Sequence, residues 1–89
     1  MKSIITVVGI DKIGIIAEVT TLLSSLMINI EDISQTVMQN YFTMMMLVDT
    51  SKTKIPMEKL EDILQEKGRE IDMVINIRSK EIFDIMHRV

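Results

Sequence analysis

Isoleucine, valine, leucine and methionine recur along this chain with two different periods, and the changes of period divide it into elements. Residues 3–8 are rich in β-branched side chains and stop at Gly9, the pattern of a buried strand. From 14 to 27, Ile15, Ile16, Val19, Leu22, Leu23 and Leu26 fall at helical spacing and leave Glu18, Thr21 and Ser25 outside. Asn29 breaks that pattern. Residues 30–38 and 41–49 predict two strands joined at Gln39-Asn40, where Asn tolerates positive φ but the usual turn glycine is missing. Residues 50–55 are polar and lysine-bearing, a loop. Pro56 suits the first turn of a second helix whose buried face is Met57, Leu60, Ile63 and Leu64, and Gly68 is placed to stop it in a left-handed conformation. Ile71, Met73, Ile75 and Ile77 alternate with Asp72, Val74 and Asn76, a half-buried strand. Ser79 then caps a short last helix carrying Ile82, Phe83, Ile85 and Met86.

The predicted order is β-α-β-β-α-β with a terminal helix, in one domain over residues 1–89. Right-handed crossovers place both long helices on one face of a four-stranded antiparallel sheet, which is the α+β, ferredoxin-like sandwich. The face without those helices carries Thr36, Met38, Met45, Leu47 and Val74 and needs cover from the terminal helix, a second subunit, or both. In Met44-Met45-Met46 the strand alternation sends Met44 and Met46 toward the helices and Met45 away. Packing therefore outweighs a copper-binding reading of the three thioethers.

Composition narrows the function classes. A chain of 89 residues buries only roughly 60–65% of its unfolded surface, and 47% of its residues are hydrophobic, so association is an expected supplement to the core. The formal charge of −3 with dispersed basic residues argues against a nucleic-acid partner. There is no cysteine, which excludes disulfides, thiolate metal sites and cysteine nucleophiles. No segment reads as a signal peptide or membrane span, and a cytoplasmic protein is expected. His87 is the sole histidine. With no nucleophile–base pair and no clustered metal ligands, no catalytic residue, metal or cofactor is expected.

The candidate chemistry lies in VVGIDKIGIIA, residues 7–17, where two glycines bracket a strand-to-helix junction. Gly9 and Gly14 have the separation of a phosphate-binding loop, but Ile15-Ile16 stand where its lysine and hydroxyl belong. An RNA-recognition domain of this fold stacks bases on central-strand aromatics, and Ile4-Ile5-Thr6-Val7-Val8 has none. A small phosphatase of this fold needs arginine at the first junction, where this chain has Lys12.

With that element order, VVGIDKIGIIA and Asn29-Ile30 resemble an ACT domain, the small regulatory module that commonly binds amino acids. The resemblance spans nearly the whole chain. It is closest to stand-alone single-ACT proteins, and to the ACT segments of glycine-cleavage regulators and formyltetrahydrofolate deformylases. The shared pattern is a strand ending in V-x-G, then x-D-[KR]-x-G-[IV]-[IV]-A, then N-I at the second strand. Ile33-Ser34-Gln35-Thr36 and Tyr41-Phe42-Thr43-Met44 are similar to the stand-alone group. Two departures stand out. Ile13 precedes Gly14 where many ACT domains carry proline. Met27 stands where the family usually has a glycine that closes the first helix, so either Asn29 takes over as the cap or the helix ends differently.

The resemblance implies a ligand wedged between the first strand–helix loop of one subunit and a neighbour's second strand. Free amides at a helix start favour a carboxylate, and a glycine backbone can approach a ligand closely. Asp11, Lys12, Ile13, Gly14, Ile15 and Asn29 are the expected ligand-binding residues. Asp11 would receive an ammonium group and Asn29 would both donate and accept. Repulsion from Asp11 favours a zwitterionic amino acid over a dicarboxylate. Structural roles compete at each position: Asp11 as an N-cap, Gly14 in the turn and in helix–sheet packing, Asn29 as a helix-ending residue with positive φ, Lys12 as a solvated charge. The resulting expectation is a non-enzymatic regulatory homodimer binding an amino acid or similar metabolite at its interface. The alternative is an interaction module that docks a protein partner through its sheet edge or methionine-bearing face. Neither involves nucleic acid or membrane.

Overall fold

The computed structural model describes residues 1–86; His87, singled out above, lies outside the described residues. The elements are β1 (Lys2–Ile10), α1 (Ile15–Ser25), β2 (Asn29–Met38), β3 (Tyr41–Asp49), α2 (Met57–Ile71), β4 (Met73–Ser79) and α3 (Lys80–Met86). The sheet order is β2-β3-β1-β4, and every neighbouring pair is antiparallel. This is the expected ferredoxin-like sandwich with a C-terminal helix.

The core follows from strand alternation. Register pairs Ile5 with Met46 and Ile77, and Val7 with Met44 and Ile75, so these side chains share the helix-facing side. All of them are buried, together with Val19 and Leu23 of α1 and Leu60 and Leu64 of α2. Met44 and Met46 sit in this core while Met45 points to the other face, as the alternation predicts. On that other face, α3 begins where the Ser79 hydroxyl accepts the Ile82 N–H at 3.2 Å. Phe83 and Met86 line a cleft with Ile4, Thr6, Asn76 and Arg78, so α3 covers one end of the sheet. Val8, Ile10, Tyr41, Met45 and Val74 remain exposed.

The boundaries differ from expectation at Gly9 and at Gly68. β1 runs through Gly9, which pairs with Phe42 and Met73; a Cβ there would lie 2.9 Å from the Asp72 carbonyl oxygen. Gly68 does not end α2. The helix continues to Ile71 and closes at Asp72, whose φ of 57° is left-handed and whose N–H donates to the Gly68 carbonyl. Gly68 is instead buried where β4 crosses the helix, and Ile71 belongs to the helix rather than to the strand. In the β2–β3 turn it is Gln39, not Asn40, that takes a left-handed φ of 58°.

The end of α1 resolves the question raised by Met27. The Ile28 N–H donates to the Leu23 carbonyl at 3.0 Å and the Met27 N–H to that of Ser24 at 3.1 Å, a Schellman closure with Met27 at the left-handed position, φ 62°. Ile28 and Leu23 are both buried, which supplies the apolar contact that accompanies this motif. Asn29 neither caps nor ends the helix; it opens β2 opposite Asp49.

Candidate ligand-binding site

The β1–α1 loop is tethered by its backbone. The Asp11 N–H donates to the Asn40 carbonyl at 2.7 Å, fixing the loop to the β2–β3 turn. Asp11 is not an N-cap, because the N-cap is Gly14 and makes no side-chain hydrogen bond. The Glu18 N–H to Gly14 carbonyl bond, 3.0 Å, is the one that starts the helix, so the N–H groups of Ile15, Ile16 and Ala17 lack an intrahelical acceptor. Among the described residues no side chain hydrogen-bonds the Asp11 carboxylate, and Asp11 is exposed.

Gly14 has φ +90°, and a Cβ built on it would meet nothing within 4 Å. Its glycine is therefore required by backbone conformation and not by helix–sheet packing, and the space above it is open. Lys12 is not simply solvated: its ammonium lies 3.3 Å from the Asp72 carboxylate, joining the loop to the α2–β4 corner. The Ile13 side chain is fully exposed, whereas that of Ile15 is buried in the core and leaves only its backbone to a ligand. On the outer face of α1, Glu18 pairs with Lys67 of α2 at 2.5 Å, and the hydrogen bond that the Lys67 ammonium donates to the Glu18 carboxylate raises the Lys67 pKa.

Asn29 is not part of this cluster within one chain. Residues 11–14 follow Ile10, which pairs with Tyr41 at one end of the sheet, while Asn29 pairs with Asp49 at the other. The nine residues of β1 separate the two ends by about 25 Å. Asn29 instead helps to line a second cleft, of about 600 Å³, with Thr20, Ser24, Met27, Ile28, Ile30, Asp49, Ser51 and Lys52. Sequence reading missed this cleft, because its walls come from α1, β2 and the β3–α2 loop. The signal within reach was the polar segment at 50–55, with two lysines and no acid.

Asp49 anchors that end of the sheet. It accepts the Ser51 N–H at 2.8 Å and lies 3.7 Å from the Lys2 ammonium, which also pairs with Glu31. The Ser51 backbone bond, with its hydroxyl and the nearby cations, holds the Asp49 pKa down at about 2.

β2 is one of the two edge strands of the sheet, β4 being the other, and every residue of β2 except Ile30 is exposed. Ile33 and Val37 share the helix-facing side with Met46 and Phe42 in register, yet neither is covered. Among the described residues no helix is long and apolar enough to cross a membrane, and no three potential metal-ligating His, Cys, Asp or Glu side chains converge.

Fold and loop together define a ferredoxin-like module in which, among the described residues, the first helix start has no side-chain cap and the Asp11 carboxylate of the preceding loop has no partner. The sequence profile of the ACT domain matches residues 3–78, and the chain belongs to the ACT-domain family. It is 51% identical, over the full length of both chains, to a UPF0237 protein of Clostridium acetobutylicum. An ACT domain protein from Streptococcus pneumoniae superimposes with a TM-score of 0.84, at 46% identity over 94% of each chain. A candidate glycine cleavage system transcriptional repressor matches at TM-score 0.72 and 28% identity, over 86% of this chain and 44% of its own. A formyltetrahydrofolate deformylase from Pseudomonas putida gives TM-score 0.79 at 12% identity, over 89% of this chain but 29% of the enzyme. What this chain shares with that enzyme is the fold of one segment.

Proposed function

We propose that this chain is a non-enzymatic regulatory module that binds an amino acid, or a similar small metabolite, between two copies of itself. The observation that carries this reading is the start of α1. Its free N–H groups and partial positive charge suit a carboxylate, open space lies over Gly14, and the unpaired Asp11 carboxylate beside it suits an ammonium group. Family membership supports the same use of the loop.

Asn29 enters this reading from the second copy. Two β2 edges paired antiparallel about a two-fold axis run in opposite directions. The second copy's Asn29 end then lies beside the first copy's Met38 end, where residues 11–14 sit. The uncovered Ile33 and Val37 favour such a pairing, since association would remove them from water. Isothermal titration of the purified protein with each common amino acid, alongside sedimentation analysis, tests the reading. The expected result is a dimer that binds at least one of them and loses binding in Gly14→Ala. Silence across all amino acids at millimolar concentration overturns it.

The exposed Val8, Ile10, Tyr41, Met45 and Val74 favour one other reading, a protein-docking module that uses the sheet face away from the long helices. A stoichiometric protein partner, with no amino acid raising the melting midpoint, would select that reading.

A further inference from the structure

The cleft at the Asn29 end of the sheet carries a charge that the composite site must accommodate. Its acid is already occupied: Asp49 accepts from Ser51 and is flanked by the Lys2 ammonium at 3.7 Å and the N-terminal ammonium at 3.5 Å. Lys2 in turn pairs with Glu31, so two cations and two carboxylates balance within this cluster. Lys52 lies outside the balance. It is exposed, it lines the cleft, and among the described residues it makes no ion pair or hydrogen bond. The Asn29 amide and the Ser24 hydroxyl line the same cleft and are likewise unpartnered among the described residues. Thr20, by contrast, already donates its hydroxyl proton to the Ile16 carbonyl at 2.8 Å. The free groups of the cleft are thus one cation and two neutral donors, a set that suits an anion.

We infer that this cleft is a carboxylate subsite in which Lys52 supplies the charge, so that the ligand is an acidic amino acid or another ammonium-bearing dicarboxylate. The inference rests on the composite site proposed above. The helix start and Asp11 of one copy hold the α-carboxylate and ammonium; the second copy's Lys52 and Asn29 hold the distal carboxylate. This reverses the preference expected from Asp11 alone. Asp11 repels a second acid only where the two come close, and here they belong to opposite ends of the ligand and to different copies of the chain.

Paired titrations separate the two levels of the argument. Aspartate is compared with asparagine and glutamate with glutamine, against the dimer and its Lys52→Met, Lys52→Arg and Lys54→Met variants. Lys54 shares the loop but does not line the cleft. The expected result is tighter binding of the acid by about fivefold. That ratio falls toward one in Lys52→Met, survives in Lys52→Arg and is unmoved by Lys54→Met, while carboxamide affinity stays constant. Equal affinity for acid and carboxamide, or a ratio indifferent to Lys52→Met, overturns the Lys52 assignment and leaves the amino-acid site standing. Absence of binding by acidic and neutral amino acids alike overturns both. Because Lys52 is exposed, an unchanged melting midpoint shows that its variants are folded.

Discussion

Gly68 of α2 lies so close beneath Met73 of β4 that a Cβ on it would stand 2.4 Å from the Met73 carbonyl oxygen. That oxygen is backbone and cannot swing aside, so the helix and strand could accept a methyl only by separating. Gly68→Ala is expected to destabilise the fold by about 2 kcal/mol or more, read as a lower urea midpoint with little change in slope.

Met27 is expected to respond in the opposite direction. It closes α1 at φ 62°, a conformation that costs a residue with a Cβ roughly 1–2 kcal/mol, and its side chain is largely exposed. Met27→Gly removes the strain at little packing loss. After the flexibility that glycine adds to the unfolded chain, a gain of about 1 kcal/mol remains, measurable by thermal or urea unfolding.

Ser3 is fully buried, and among the described residues its hydroxyl has no hydrogen-bond partner. It faces the helices, between Val48 and Ser79 in register. Ser3→Ala deletes an unsatisfied polar atom and little else, so it is expected to stabilise by about 1 kcal/mol. A loss of stability in chemical denaturation would contradict this account of the site.

Asp49 gives the fold an acid limb. Its folded pKa, about 2, lies below its ordinary value of 3.8. The unfolded chain therefore binds the proton more readily. The stabilisation is complete above about pH 4 and is lost as pH falls through about 2. Asp49→Asn is expected to lower the melting midpoint at neutral pH and to flatten its decline between those two values.

The exposed β2 edge predicts assembly. Val37 is 52% exposed on β2 although its register partner Phe42 is buried. Val37→Lys places a charge on that edge without touching the core. Sedimentation is expected to show a shift from dimer to monomer, with amino-acid binding lost in parallel.

Much of the architecture was legible because period-2 and helical patterns record which face of an element is buried. The division of Met44, Met45 and Met46 between core and exterior followed from alternation alone. The Ser79 cap was likewise a local rule, since a hydroxyl three residues before a free N–H needs no tertiary partner. The failures were also physical. Gly68 looked like a helix stop because glycine supplies left-handed backbone cheaply, but it is required by a strand crossing that no local pattern encodes. Asp11 looked like a cap because its side chain is suitable, but the helix starts three residues further on and Gly14 takes that place.

The order and type of the elements, the identity of most of the core and the family to which the chain belongs were determined by the sequence itself, since each depends on residues near one another in the chain. Tertiary structure decided where the chemistry lies. Only the sheet register shows that residues 11–14 and Asn29 of one chain stand at opposite ends of the sheet. Only the packing of α1, β2 and the 50–55 loop places Lys52 and Asn29 along one cleft. Such relationships depend on groups distant in sequence and brought together by a shared core, which local periodicity does not record.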